Sequence, residues 1–116
     1  MEDELKKVPA RFYRNEKRTE PVREWLLSLD SKDRKEIGKD VATVEYGWPV
    51  GMPTCAAMGA GLWEVRSSLE GNRISRILFC FAEGHMVLLH GFIKKTSKTP
   101  KADLDIARDR QKEVEK

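Results

Sequence analysis

Between His90 and Lys101 the chain carries Lys94, Lys95, Lys98 and Lys101 and no carboxylate, a local cationic excess that the overall net charge of +3 conceals. Arg66, Arg73 and Arg76 stand upstream of it. Such a run is commonly a solvated surface, and beside these arginines it also suits a strip that meets the phosphates of RNA. Arginine offers a planar fork for phosphate oxygens. Lysine offers a point charge whose pKa falls when like charges crowd it, which opens the role of base to Lys94 or Lys95. RNA brings its own nucleophile, the 2′-hydroxyl. A protein acting on it must remove one proton, stabilise the charged phosphorane and protonate the leaving 5′-oxygen. Cations fixed before the reaction are most effective where new negative charge develops. The two histidines, His85 and His90, belong to no cluster at metal-ligand spacing, so this chemistry is expected to need no metal and no other cofactor.

Several of these residues admit two roles. His90 has the side chain whose ordinary pKa lies nearest neutrality, yet it sits among Leu88, Leu89 and Phe92, as a packing histidine would. Trp63 suits stacking on a base and equally a place in the core, and Trp25 and Trp48 read as packing residues. Arg66 is open to catalysis and to structural bridging. Arg73 and Arg76 are an odd number of positions apart, so on one strand they point to opposite faces. Arg73, beside a turn, is then the better phosphate ligand, and Arg76 suits an ion pair, with Glu64 as a partner.

The elements that must position these groups are legible in outline. Val8 to Arg14 reads as a strand at a sheet edge, because Pro9 cannot donate a ladder bond. Thr19, Glu20 and Pro21 start a helix whose Val22, Trp25, Leu26 and Leu29 share one face. Asp30 and Ser31 cap a second helix, with Ile37, Val41 and Val44 on a face and Gly47 at its end. Trp48 to Ala60, with Pro49, Gly51, Pro53 and Gly59, reads as a loop. Leu62 to Ser67, Arg73 to Ala82 and Met86 to Ile93 read as an antiparallel meander turned at Glu70-Gly71-Asn72 and Glu83-Gly84. Thr99 and Pro100 open a last, charged helix. The expected class is α+β, in the order β-α-α-β-β-β-α.

A length of 116 residues suits one domain, residues 1 to 116. With 40% apolar and 35% charged residues there is material for one core and a solvated surface. No secretory signal or membrane-spanning run is seen, so a cytoplasmic protein without membrane partners is expected. Cys55 and Cys80 read as small, reduced hydrophobes.

The segments Gly61-Leu62-Trp63-Glu64-Val65-Arg66, Arg73 to Phe79 and Leu89-His90-Gly91-Phe92-Ile93-Lys94-Lys95-Thr96, with Lys98-Thr99-Pro100 and Ala107 beyond them, resemble HigB-like toxins of the RelE/ParE superfamily. The resemblance spans residues 8 to 112. It implies two N-terminal helices packed on a small antiparallel sheet. It also implies translation-dependent cleavage of mRNA on the ribosome, and neutralisation by a small helix-turn-helix antitoxin, with a heterotetramer as one assembly. By family position Arg73 is the arginine on the scissile phosphate, and Lys95 falls near a C-terminal basic residue with the same use. Arg66 and Lys94 complete the expected catalytic set. Arg76, Lys98, Lys101, His90 and Trp63 are the expected RNA contacts. Leu62 and Glu64 occupy positions where RelE has catalytic lysines, and no tyrosine follows Lys95, so the general acid and base are not carried over. Two other readings share the fold. One is a ParE-like topoisomerase inhibitor, which the basic residues of the last strands disfavour. The other is a toxin that keeps only antitoxin binding.

Overall fold

The computed structural model describes residues 5–95 and 98–115. Strand β1 (Ala10–Phe12) leads to helices α1 (Pro21–Ser28) and α2 (Ser31–Gly47). Strands β2 (Cys55–Gly59), β3 (Leu62–Leu69), β4 (Arg73–Ala82) and β5 (His85–Lys94) follow, and helix α3 (Lys101–Val114) comes last. Pro21 opens α1 as expected, and Asp30 caps α2 by accepting the Asp33 N–H on its side chain. The β4–β5 turn places Glu83 and Gly84 at φ of 51° and 77°. Both central residues of a tight hairpin turn must adopt such values, which is why glycine serves there.

The five strands lie in the order β1-β5-β4-β3-β2, with β3, β4 and β5 forming the expected antiparallel meander. Two expectations need correction. The sheet is mixed rather than wholly antiparallel, because β1 runs parallel to β5 at the edge. Alternating side chains set which face a strand buries and carry no information on its direction. The expected loop from Trp48 to Ala60 also contains β2, paired antiparallel with β3. Its Ala56, Ala57 and Gly59 show no alternation of large apolar residues, so its strand character comes from the partner's backbone.

The sheet buries side chains on both faces. Val22 of α1 and Ile37, Val41 and Val44 of α2 pack with Val65, Ile77, Phe79 and Met86. Leu62, Leu78, Cys80, Leu89 and Phe92 pack on the other side with Ala107 of α3. Trp25 of α1 lies so close over β5 that a Cβ on Gly91 would stand 2.5 Å from its ring. Helix α3 is moored by polar contacts to strand ends. Arg108 donates to Met58 O and Gly59 O, each at 2.9 Å, Gln111 donates to Ala60 O at 2.9 Å, and Arg110 donates to Leu89 O at 2.7 Å. No helix among the described residues is long and apolar enough to cross a membrane.

Candidate active site

Arg66 and Arg76 stand directly opposite each other in the β3–β4 ladder, so strand geometry turns both to the same face. Like charges at such a distance need a counter-ion, and Glu64, two residues before Arg66, supplies it. Its Oε1 lies 3.5 Å from Arg76 Nε and 3.8 Å from Arg66 Nε. Its Oε2 accepts the hydroxyl of Thr99, from the segment that enters α3. The side chains differ in access. Arg76 is only 1% exposed, with Nη1 and Nη2 lacking hydrogen-bond partners among the described residues, whereas the Arg66 side chain keeps 25% of its surface. Arg66 Nη1 lies 4.0 Å from Met52 Sδ.

A second carboxylate centre adjoins this one. In the β4–β5 ladder Arg76 faces Phe92, Leu78 faces His90 and Ile74 faces Lys94. An irregularity after Leu78 leaves Leu89 unpaired, which lets Leu89 and His90 both turn towards α3. Asp103, in the first turn of α3, accepts from both side chains: Oδ1 lies 2.7 Å from His90 Nε2 and Oδ2 lies 2.9 Å from Lys94 Nζ. Burial opposes ionisation of Asp103, but the bonds from His90 and Lys94 outweigh it and hold the carboxyl below its ordinary pKa. The His90 ring stacks on Phe92 at 5.7 Å, and Lys94 Nζ stands 5.5 Å from the centre of the same ring. A pocket of about 220 Å³ opens beside His90, lined also by Trp25 and Arg110. A hollow of about 450 Å³ around Tyr13 and Glu113 includes none of these groups.

The remaining expected site residues lie elsewhere. Arg73 turns away from Arg76, as alternation requires, and forms a two-pronged pair with Asp33 of α2 at 2.8 and 3.0 Å. Its hydrogen bonds hold the Asp33 carboxyl below its ordinary pKa. Lys95 is exposed just past β5, without a partner among the described residues, and Lys98 is exposed before α3. Lys101 is exposed and pairs with Asp105 one helical turn on, at 2.7 Å. Trp63 packs edge-on against Trp48 at 4.8 Å, next to Phe81, in the core beneath α1 and α2. Thr96, the end of the β5 motif, is outside the described residues. Among the described residues, no three His, Cys, Asp or Glu side chains gather as a metal-binding group.

Two functional groups were not foreseen from sequence. Asp103 looked like one acid in a charged helix, and only the docking of α3 carries it to His90 and Lys94. Asp33 gave no sign beyond its place in a helix's first turn. Glu64 was expected as an ion-pair partner of Arg76, and the structure pairs them at 3.5 Å.

Comparison with known proteins adds one match: the family model described as Phage derived protein Gp49-like (DUF891) covers residues 24–112. No curated protein matches the chain.

Proposed function

The chain belongs to the phage-derived Gp49-like family, a family of RelE/HigB-type toxins of toxin–antitoxin pairs, and from that premise we propose that it cleaves mRNA on the translating ribosome without a metal. The observation that carries this reading is the gathering of Arg66, His90 and Lys94 on one sheet face, each beside a carboxylate that orients it.

His90 gives its Nε2–H to Asp103, so the neutral ring presents Nδ1 as the atom that exchanges protons. It takes the proton of the 2′-hydroxyl as that oxygen attacks the adjacent phosphorus. The bond from phosphorus to the 5′-oxygen breaks and that oxygen takes a proton from water, whose hydroxide recovers the proton held by His90, leaving a cyclic phosphate and a 5′-hydroxyl. Arg66 and Lys94 balance the charge on the phosphorane, and Lys95 and Lys98 hold flanking phosphates. Arg76, buried on Glu64, positions the Arg66 pair rather than touching RNA. Arg73 reaches a phosphate only by releasing Asp33, so its part in this reading is to fix the strand end.

The test is a reconstituted translation reaction on a defined message, with product ends mapped. Wild type is expected to give 5′-hydroxyl ends. Arg66→Ala and Lys94→Ala are each expected to slow cleavage on the order of 100-fold, the usual cost of one preorganised contact to a developing anion. Wild-type rates in both variants, or 5′-phosphate ends, overturn the assignment. Inhibition of a supercoiling reaction instead of translation would identify a topoisomerase inhibitor.

A further inference from the structure

Strand β2 pairs with β3 only as far as Cys55 opposite Val65, and the Arg66 N–H then donates to Thr54 O at 2.7 Å. Beyond that point β2 no longer covers the edge of β3, and a hollow of about 310 Å³ opens there against α2. Strand register ties it to the proposed site. Ser68 faces Ile74 and Ile74 faces Lys94, in the row next to Arg66, Arg76 and Phe92. Alternation puts both rows on one face, and Arg66, Ser68 and Ile74 line the hollow. Pro53 and Ile74 give it apolar surface. Its other charged groups are Glu36 and Asp40, one turn apart on α2, which form no ion pair among the described residues. Glu36 is exposed and Asp40 half-buried. The hollow therefore offers hydrogen-bond acceptors and an apolar wall, with a phosphate-binding arginine at its side.

We propose that this hollow takes the base of the nucleotide at the scissile phosphate and selects guanine, a specificity that rests on the ribonuclease reading above. The Watson–Crick edge of guanine presents two adjacent donors, N1–H and N2–H, and the two oxygens of one carboxylate accept both. Asp40 is that acceptor, while Arg66 holds the phosphate and Pro53 and Ile74 meet the ring. Adenine and cytosine set one amine beside a ring acceptor, which would turn a lone pair towards Asp40. Uracil has one donor between two carbonyls. An unpaired single strand exposes these edges, so they are open to reading. A volume near 310 Å³ is at the small end for ligand pockets, which suits a single base. A phosphate would be repelled by the two carboxylates. A divalent cation would find two of them, with no third His, Cys, Asp or Glu joining them among the described residues.

The experiment titrates the full chain with the 3′-monophosphates of guanosine, inosine, adenosine, cytidine and uridine, followed by backbone amide resonances. The guanosine nucleotide is expected to bind about 10-fold tighter than the inosine nucleotide, which lacks only the N2 amine, because one hydrogen bond to a charged group has about that effect. Shifts should centre on Asp40, Ser68 and Ile74. Asp40→Asn should melt like wild type, as a surface change, and bring guanosine binding down to the level of the others. Arg66→Ala should weaken all five alike, since it removes the phosphate contact. In the translation reaction, messages that differ only in the base at the cut should be cleaved fastest at guanine by wild type and without that preference by Asp40→Asn. Equal affinity for all five nucleotides, binding of none, or a guanosine preference that survives Asp40→Asn overturns the pocket and leaves the ribonuclease reading to its own test. A preference for cytidine or adenosine overturns the choice of guanine. Shifts caused by a lysine-rich peptide and by no nucleotide would assign the carboxylates to a protein and overturn the proposal. Guanosine binding lost in Asp40→Asn, in a chain that cuts no message, would keep guanine at Asp40 and sink the ribonuclease reading.

Discussion

Arg73 of β4 grips Asp33 of α2 with both arms of its guanidinium, at 2.8 and 3.0 Å, while its Nε donates to Glu70 O at 2.9 Å. One side chain thus ties a turn, a strand end and the first turn of a helix. A single Arg73→Ala change removes all three contacts and leaves a 7% exposed carboxylate without its partner.

The Arg73→Ala variant is accordingly expected to melt below wild type at neutral pH, with Arg73→Lys between them because lysine lacks the fork. The pH dependence has a defined sign. Asp33 is held below its ordinary pKa by hydrogen bonds from Arg73, so the stabilisation is full above the unfolded carboxylate value of about 4. It fades as the pH falls through the folded value. The gap between the melting curves of wild type and Arg73→Ala should therefore narrow as the pH falls below about 4, the part owed to Asp33 being lost only below its folded value. A gap that does not narrow in acid, or no gap at neutral pH, contradicts the brace.

Gly91 lets α1 lie against β5. An added Cβ would meet Trp25 ring atoms at 2.5 and 2.7 Å, too close without movement of the helix or the ring. Gly91→Ala should lose about 1–3 kcal/mol in urea unfolding, the usual effect of overpacking. Pairing it with Trp25→Leu should cost less than the sum of the single changes, since both act on one contact. Strict additivity would place the strain elsewhere.

Glu64 is 4% exposed and is the counter-ion of a buried arginine. Removing one member of a buried pair strands the other charge, so Glu64→Ala should lose about 3–5 kcal/mol. Replacing both, as Glu64→Leu with Arg76→Met, should recover most of that loss, because the desolvated charge disappears with its partner. Chemical denaturation of the three variants decides the matter. A double variant no more stable than Glu64→Ala would mean that the pair is not the source of the loss.

Asp103→Asn keeps the shape of the side chain that meets His90 and Lys94 but removes the charge that aligns them. On the proposed mechanism its cleavage rate should drop on the order of 100-fold with little change in ribosome binding, since small misplacements at a reacting centre have effects of that size. Proton resonances of the His90 ring offer a readout independent of activity and should shift in this variant. An unshifted ring with wild-type cleavage removes Asp103 from the site.

Burial pushes the thiols of Cys55 and Cys80 up to about 11, where the thiolate is scarce at neutral pH. Alkylation by iodoacetamide should proceed only as fast as the protein unfolds. Rapid labelling in native buffer would show that either side chain reaches solvent.

Local rules were enough to read much of this protein from its residues. Pro21 and Asp30 marked the helix starts, because a missing N–H and a capping carboxylate act within a few residues. Glu83-Gly84 marked a hairpin, and the odd spacing of Arg73 and Arg76 placed them on opposite faces. Tertiary structure decided what depends on partners distant in sequence. The parallel pairing of β1 with β5 and the strand at Cys55–Gly59 depend on a neighbour's backbone, which no side-chain pattern encodes. The same holds for the candidate site. Arg73, Arg66 and Lys94 look alike as isolated cations, and their separate fates follow from which carboxylate the fold brings to each. Asp33 is 40 residues from Arg73 and Asp103 is nine from Lys94. Those distances close only when α2 and α3 bury their apolar faces on opposite sides of the sheet.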